Sequence, residues 1–222
     1  MPGSLPVGRF PYRTALVLFV LLSCFAALAA KDFVKPTAKN AKEYPAHDEH
    51  TTDRVTVAID PYDFADKAQI FTVHWNEEGY LPVFLVITND SDQPIALTSM
   101  EGQLVTARRD KISPATTDDL YRRLAHLSAG STNPLPLPIP KKPKGAVSKK
   151  AQEEINAAQF GAKAVEPHST QSGFLFFDVS GLSTPLPGAH FFLTGVQDSK
   201  GTELMYFEVP LEKYLSAPTP AK

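Results

Sequence analysis

The segment HDEH at residues 47–50 is the one place in the chain where histidines and carboxylates stand side by side. His47 and His50 are three residues apart. On a helix they would share a face, and with Asp48 or Glu49 they would offer the nitrogen and oxygen donors that a divalent metal takes. The flanking sequence argues the other way: it is polar, lacks apolar periodicity and supplies no outer layer of groups to fix the ligands. A solvated linker is the favoured reading, with His47 and His50 kept as the metal candidates. A second acidic cluster, Asn89-Asp90-Ser91-Asp92, interrupts the apolar stretch YLPVFLVITNDSDQPIAL. Counted from Asp90, a calcium loop of the EF-hand type needs an oxygen donor at the fifth place, glycine at the sixth and glutamate at the twelfth. The chain supplies Pro94, Ile95 and Glu101. Only the last fits, so the cluster reads as a turn whose Asn, Asp and Ser side chains cap their own backbone.

The remaining histidines, His74, His126, His168 and His190, are isolated from one another in sequence. The chain has no G-x-S-x-G elbow, no H-E-x-x-H and no glycine-rich phosphate loop, and no cofactor motif. A Ser-His-Asp or metal-dependent site assembled in space stays open as the alternative function class. Cys24 is the only cysteine, which excludes an intramolecular disulfide and argues against thiolate zinc.

One region departs from the overall charge balance. Between Arg108 and Glu154 there are ten Lys or Arg against five acids, in a chain whose formal net charge is −2. Arg122, Arg123, Lys141, Lys142 and Lys144 form its core, around the proline-rich tract STNPLPLPIPKKPKG. Such a tract favours polyproline II and stays out of sheet interiors. It reads foremost as a solvated loop and, as a binding arm, would meet another envelope protein or an anionic membrane surface. A near-neutral chain argues against nucleic acid as the partner.

These residues must be positioned by a β-rich framework. RVTVAID, LPVFLVIT, PIALTSM, QLVTARR, SGFLFFDVSG, AHFFLTGVQD and ELMYFEVPLE read as strands, and LPVFLVIT, apolar on both faces, as a central one. QIFTVHW reads as a strand or a short helix, Glu101-Gly102 as a turn, and Asp198-Ser199-Lys200-Gly201 as a hairpin turn. SPATTDDLYRRLAHL reads as an amphipathic helix capped by Thr117, and VSKKAQEEINAAQFG as a second one capped by Ser148. The predicted class is mainly β, an antiparallel β-sandwich interrupted by a helical and proline-rich insertion.

The ends have their own signatures. Arg9 and Arg13 precede the apolar run Ala15 to Ala30, which closes on an A-x-A site at Ala27-Leu28-Ala29. That is the order of a secretory signal peptide. Retention as an N-terminal membrane anchor and lipidation at Cys24, within Leu21-Leu22-Ser23-Cys24, remain alternatives, and all three export the domain. The expected organisation is a leader over 1–30, a flexible tether over 31–52, a sandwich over 53–215 with its insertion at 113–163, and a disordered tail over 216–222.

Asn89, Ser91, Asp92 and Pro94 at a strand end, and later Pro167, Ser169, Gly173, Phe174, Leu175 and Phe177 in EPHSTQSGFLFFDV, carry a likeness. With GYLPVFLVITND from Gly79, this pattern resembles bacterial exported immunoglobulin-like domains of unknown function. The resemblance covers about half the chain and leaves out the insertion. It implies an immunoglobulin-like sandwich in the periplasm, envelope or extracellular space, and carries no reaction with it. The expected function is therefore a non-enzymatic structural or protein-binding module of the envelope.

Overall fold

The computed structural model describes residues 32–130 and 147–217. The expectations for the leader, Cys24, Lys141, Lys142, Lys144 and the proline tract lie outside the described residues, as does most of the tail. In chain order the elements are β1 (His47–His50), β2 (Val55–Pro61), α1 (Ala65–Ala68), β3 (Tyr80–Asn89), β4 (Ile95–Ala96), β5 (Glu101–Val105) and β6 (Lys111–Ile112). There follow α2 (Thr117–Gly130), α3 (Lys149–Ala158), β7 (Ala164–Val165), β8 (Ser169–Asp178), β9 (His190–Thr194), β10 (Phe207–Pro210) and α4 (Glu212–Leu215).

The chain is mainly β and its sheets are antiparallel, as the alternating patterns require. Sheet I has the order β1-β2-β3-β8 and sheet II the order β10-β9-β5-β6, while β4 and β7 form a short separate ladder. One apolar core is shared by the two sheets. Val55, Val57 and Ile59 of β2, Leu81, Val83, Leu85 and Ile87 of β3 and Phe177 of β8 meet Leu104, Phe191, Leu193, Phe207 and Val209 from sheet II. β3 is buried at all ten positions. Its alternate residues Tyr80, Phe84 and Val86 face away from sheet II into a second apolar cluster. A strand apolar on both faces needs cover on both, and here the second cover is the insertion.

That second cluster joins Phe174 and Phe176 of β8 to Leu120 of α2, Ile155 and Ala158 of α3, and Phe71 and Trp75. Its rings are in contact: Phe174 lies 4.9 Å from each of Phe71, Phe84 and Tyr62, and Trp75 lies 4.9 Å from Phe176. The molecule thus stacks sheet II, sheet I and a helical layer.

Four expectations need correction. The segment expected as a tether is folded: Ala41 and Ala46 are fully buried, and β1 pairs along β2 from His47↔Ala58 to His50↔Val55. Backbone pairing gives polar residues a place in a sheet edge regardless of side-chain hydropathy, and small alanines fit close to the sheet. QIFTVHW is neither strand nor helix; α1 stops at Ala68, and a run of turns to Gly79 carries Phe71 and Trp75 onto sheet I. Glu101-Gly102 opens β5, and the turn falls earlier, where the Met100 N–H donates to the Leu97 carbonyl at 3.1 Å. At the head of α2 the capping residue is Thr116: its hydroxyl accepts the Asp119 N–H at 3.2 Å while the Asp119 carboxylate accepts the Thr116 N–H at 3.0 Å. This reciprocal pair is a capping box. Ser148 caps α3 as expected, accepting the Ala151 N–H at 3.2 Å.

Candidate functional site

Three sets of contacts fix the insertion to the sandwich and decide which of its charges remain available. Its two ends run along the outer edge of β8. The Ala115 N–H donates to the Phe176 carbonyl at 2.7 Å and the Phe160 N–H to the Phe174 carbonyl at 3.0 Å. Gly173 permits this approach, since a Cβ there would stand 2.5 Å from the Phe160 Cα. An edge that would otherwise offer unpaired backbone groups is thereby covered.

Glu154 supplies the second tie. It shares the inward stripe of α3 with Ala151, Ile155 and Ala158 and is 2% exposed. Its carboxylate accepts the Thr72 N–H at 2.5 Å, the Trp75 indole N–H at 3.1 Å and the Val73 N–H at 3.3 Å, and also the Thr72 hydroxyl. Buried charge survives in proteins when hydrogen bonds replace its water, and here they bind α3 to the 62–79 loop.

The third tie is Arg123 of α2. Its guanidinium donates to the Glu78 carbonyl at 2.9 Å and to Asp178 at 2.8 Å, and lies 5.0 Å from the centre of the Tyr80 ring. Burial pushes the Asp178 carboxyl up, but the Ser180 hydroxyl and N–H together with Arg123 outweigh it and hold the group below the usual carboxylate value. Burial lifts the Tyr80 hydroxyl above its ordinary value against the pull of Arg123.

Arg123 borders an open cleft of about 690 Å³, lined also by Tyr80, Ser113, Asp119, Arg122, His126 and Asp178. Arg122 and His126 are one helical turn apart and so share a face of α2. The Arg122 side chain is 72% exposed while pairing with Asp119. Asp119 is held low chiefly by the Thr116 hydroxyl and N–H, with Arg122 adding to it. His126 is exposed and makes no hydrogen bond to Ser113 or to either carboxylate. The cleft contains Ser, His and Asp, yet their contacts do not make the nucleophile–base–carboxylate relay of a triad. What it can do is offer a negatively charged group the exposed Arg122, whose charge is shared with Asp119, with the His126 ring as a neighbouring hydrogen-bonding group.

The other candidates have separate places. HDEH forms β1, so His47 and His50 lie on opposite faces of a strand rather than one face of a helix. The shared-face metal pair is therefore corrected. His47 meets the Tyr44 carbonyl at 2.6 Å, whereas the His50 ring stacks 3.9 Å from that of Phe207, with Asp48 and Asp53 each 3.6 Å from its nitrogens. Asp48 also accepts the Glu208 N–H at 2.9 Å. The segment thus joins β1 to β10 and closes one side of the sandwich.

In the acidic turn, the fully buried Asn89 is the hub. Its amide donates to the carbonyls of Gln93, Val165 and Glu166 at 2.8, 3.1 and 3.3 Å, and its oxygen accepts the Ser91 N–H at 3.0 Å. Asp90 pairs with Lys42 at 3.1 Å and Asp92 with Arg54 and His168, each at 3.0 Å. Glu101, the residue at the calcium-loop twelfth place, instead opens β5 opposite Thr194. His74 pairs with Glu77 at 3.5 Å and His190 with Glu208 at 2.8 Å, so the four isolated histidines are not gathered in one place. Among the described residues no group of three or more His, Cys, Asp or Glu is placed to hold a metal ion, and no helix is long and apolar enough to cross a membrane.

Sequence reasoning missed Glu154 and the anchoring role of Arg123. The first had a signal, an acid at the i, i+3, i+4, i+7 stripe of an amphipathic helix. The second had none, because Glu78 and Asp178 are far from it in sequence. No family model and no curated protein matches the chain.

Proposed function

We propose that the chain is a non-enzymatic, exported, immunoglobulin-like β-sandwich that uses its helical insertion to hold an acidic partner protein of the cell envelope. The observation that carries this reading is the division of labour on α2. Arg123 is engaged by the fold through Glu78, Asp178 and Tyr80, while Arg122 and His126 face the open cleft. Lys141, Lys142 and Lys144 follow α2 in the sequence and extend the same charge. Cationic groups on a rigid support speed and orient docking of an acidic partner more than they add affinity. Export rests on the leader pattern of residues 1–30, and the immunoglobulin-like assignment on the Asn89–Pro94 and Pro167–Phe177 phrases.

The test is capture of envelope proteins by the full chain, by an Arg122→Glu variant and by a variant lacking residues 131–146. Salt-sensitive capture of an acidic protein, weakened in both variants at unchanged thermal stability, supports the proposal. Identical capture by all three removes the insertion from function. Mass spectrometry of the N-terminus from cells tests export separately: a start at or near Ala30, or a lipid on Cys24, is the expected result, and an unprocessed chain in the cytoplasm contradicts it.

A further inference from the structure

A different part of the molecule carries two arginines that the fold does not use. Between β5 and β6 the chain turns through Thr106-Ala107-Arg108-Arg109-Asp110. The Arg109 N–H donates to the Thr106 carbonyl at 2.8 Å and the Thr106 N–H to the Asp110 carbonyl at 3.0 Å. Arg109 stands at φ +67°, the left-handed region where hairpins of this kind favour glycine. Two other non-glycine residues share that region, and both have a structural reason: Arg54 holds Asp92 and the Asp90 carbonyl, and His168 meets Asp92. Arg109 has no such contact. Among the described residues neither its guanidinium nor that of Arg108 meets a protein partner, and both are exposed. The left-handed backbone at Arg109 belongs to the turn itself; it is the two guanidinium groups, which the fold leaves exposed, that point to a use outside it.

Beside this tip lies a cleft of about 120 Å³ between the hairpin and the loop that follows β8. Arg108, Ser183 and Thr184 line it, and neither hydroxyl has a partner among the described residues. The one carboxylate on its wall, Asp110, is held by the Thr106 hydroxyl at 3.1 Å. Lys111 adds a further cation one position along the hairpin. One guanidinium and two hydroxyls around a space of this size suit a tetrahedral oxyanion, whose oxygens accept more hydrogen bonds than one carboxylate can, and guanidinium groups are its usual recognition element.

We infer that the β5–β6 hairpin and the 181–187 loop form a phosphate-binding site. Arg108 grips the group from the cleft wall, Ser183 and Thr184 donate their hydroxyls, and Arg109 supplies a second positive charge from the tip. The phosphate belongs to a phospholipid headgroup or to a soluble phosphate ester. The site shares no lining residue with the α2 cleft, so it stands or falls independently of the partner proposed there.

The full chain is titrated with inorganic phosphate while the amide signals of Ser183 and Thr184 are followed by NMR. In parallel it is sedimented with vesicles of phosphatidylcholine alone and of phosphatidylcholine with phosphatidylglycerol. Saturable shifts with inorganic phosphate and no vesicle binding assign a soluble ester. Retention on the anionic vesicles that Arg108→Ala weakens assigns a headgroup, whereas retention that Arg108→Ala leaves unchanged belongs to the leader or the basic arm and counts against the site. Arg108→Ala should lower either binding by about tenfold, the worth of one charge-assisted contact. Arg109→Gly should weaken binding several-fold while the melting temperature stays level or rises, because glycine relieves the left-handed backbone. A purely structural arginine would lose stability instead. Absence of binding to both probes, or wild-type affinity in Arg108→Ala, overturns the inference.

Discussion

Glu154 shows how one side chain couples two parts of the fold that are distant in sequence. Its oxygens take donors from Thr72 and Val73 on the outer side of the 62–79 loop and from the buried Trp75 indole. Glu154→Ala strands the buried Trp75 indole N–H and releases the loop from α3, and should destabilise the protein by on the order of 3 kcal/mol. Glu154→Gln, which keeps the shape and one acceptor, should cost less. Urea unfolding followed by the fluorescence of Trp75, the chain's only tryptophan, measures both. Acid should act through different residues. Asp92, Asp119, Asp178 and Asp198 all titrate below the ordinary aspartate value in the folded chain. Their contribution is complete above the unfolded value of about 4 and is lost as pH falls through the folded values. Asp60 opposes them: burial raises its carboxyl, with Lys67 pulling back, so its protonated form favours the folded state below about pH 4 and that favour fades as pH rises through its folded value. Urea midpoints taken from neutral to strongly acid pH should fall below about pH 4, and less steeply in Asp92→Asn. At this scale the sequence was a partial guide. The Asn89–Asp92 stretch was legible as a turn because Asx chemistry is local. HDEH was not legible as a strand because a polar segment without apolar periodicity reads as a linker, and its place is set by backbone pairing with β2.

At the scale of elements, the edge of β8 decides how the insertion sits. Ala115 and Phe160 meet that edge from opposite ends of the helical segment, across the surface that Gly173 leaves bare. Gly173→Ala should push Phe160 away at a cost of about 2 kcal/mol, within the range for overpacking a close contact. Hydrogen exchange should then quicken at the Ala115 and Phe160 amides before it does in β3. The strands themselves were readable, since period-two alternation in RVTVAID and SGFLFFDVSG names their inward faces directly. Phe174 and Phe176 separate from Leu175 and Phe177 as alternation demands, the first pair into the helical layer and the second toward sheet II. The 62–79 segment was not readable. Its apolar residues Phe71, Val73 and Trp75 alternate like a strand but are spent one by one on the surface of sheet I, a pattern set by tertiary packing rather than by local repeat.

For the whole molecule, the insertion is the third layer of the fold as well as a carrier of charge. Removing residues 115–159 should therefore expose Phe174, Phe176 and Trp75 and give a chain that binds hydrophobic dyes or aggregates. Deleting only 131–146 should leave the melting temperature close to that of the full chain if Glu154, Arg123 and the β8 edge supply the attachment. A mainly β chain with a helical interruption was legible from the change of period after Ser113. That the interruption covers a sheet face was implied only by β3, whose two apolar faces called for cover on both sides. The most direct test of the proposed role is the binding of the full chain to envelope extract, with and without Arg122→Glu, across a salt series. The account predicts an acidic partner that is retained at low salt and lost at high salt, with retention reduced by about tenfold in the variant at unchanged melting temperature. Equal retention by both proteins at every salt concentration would contradict it.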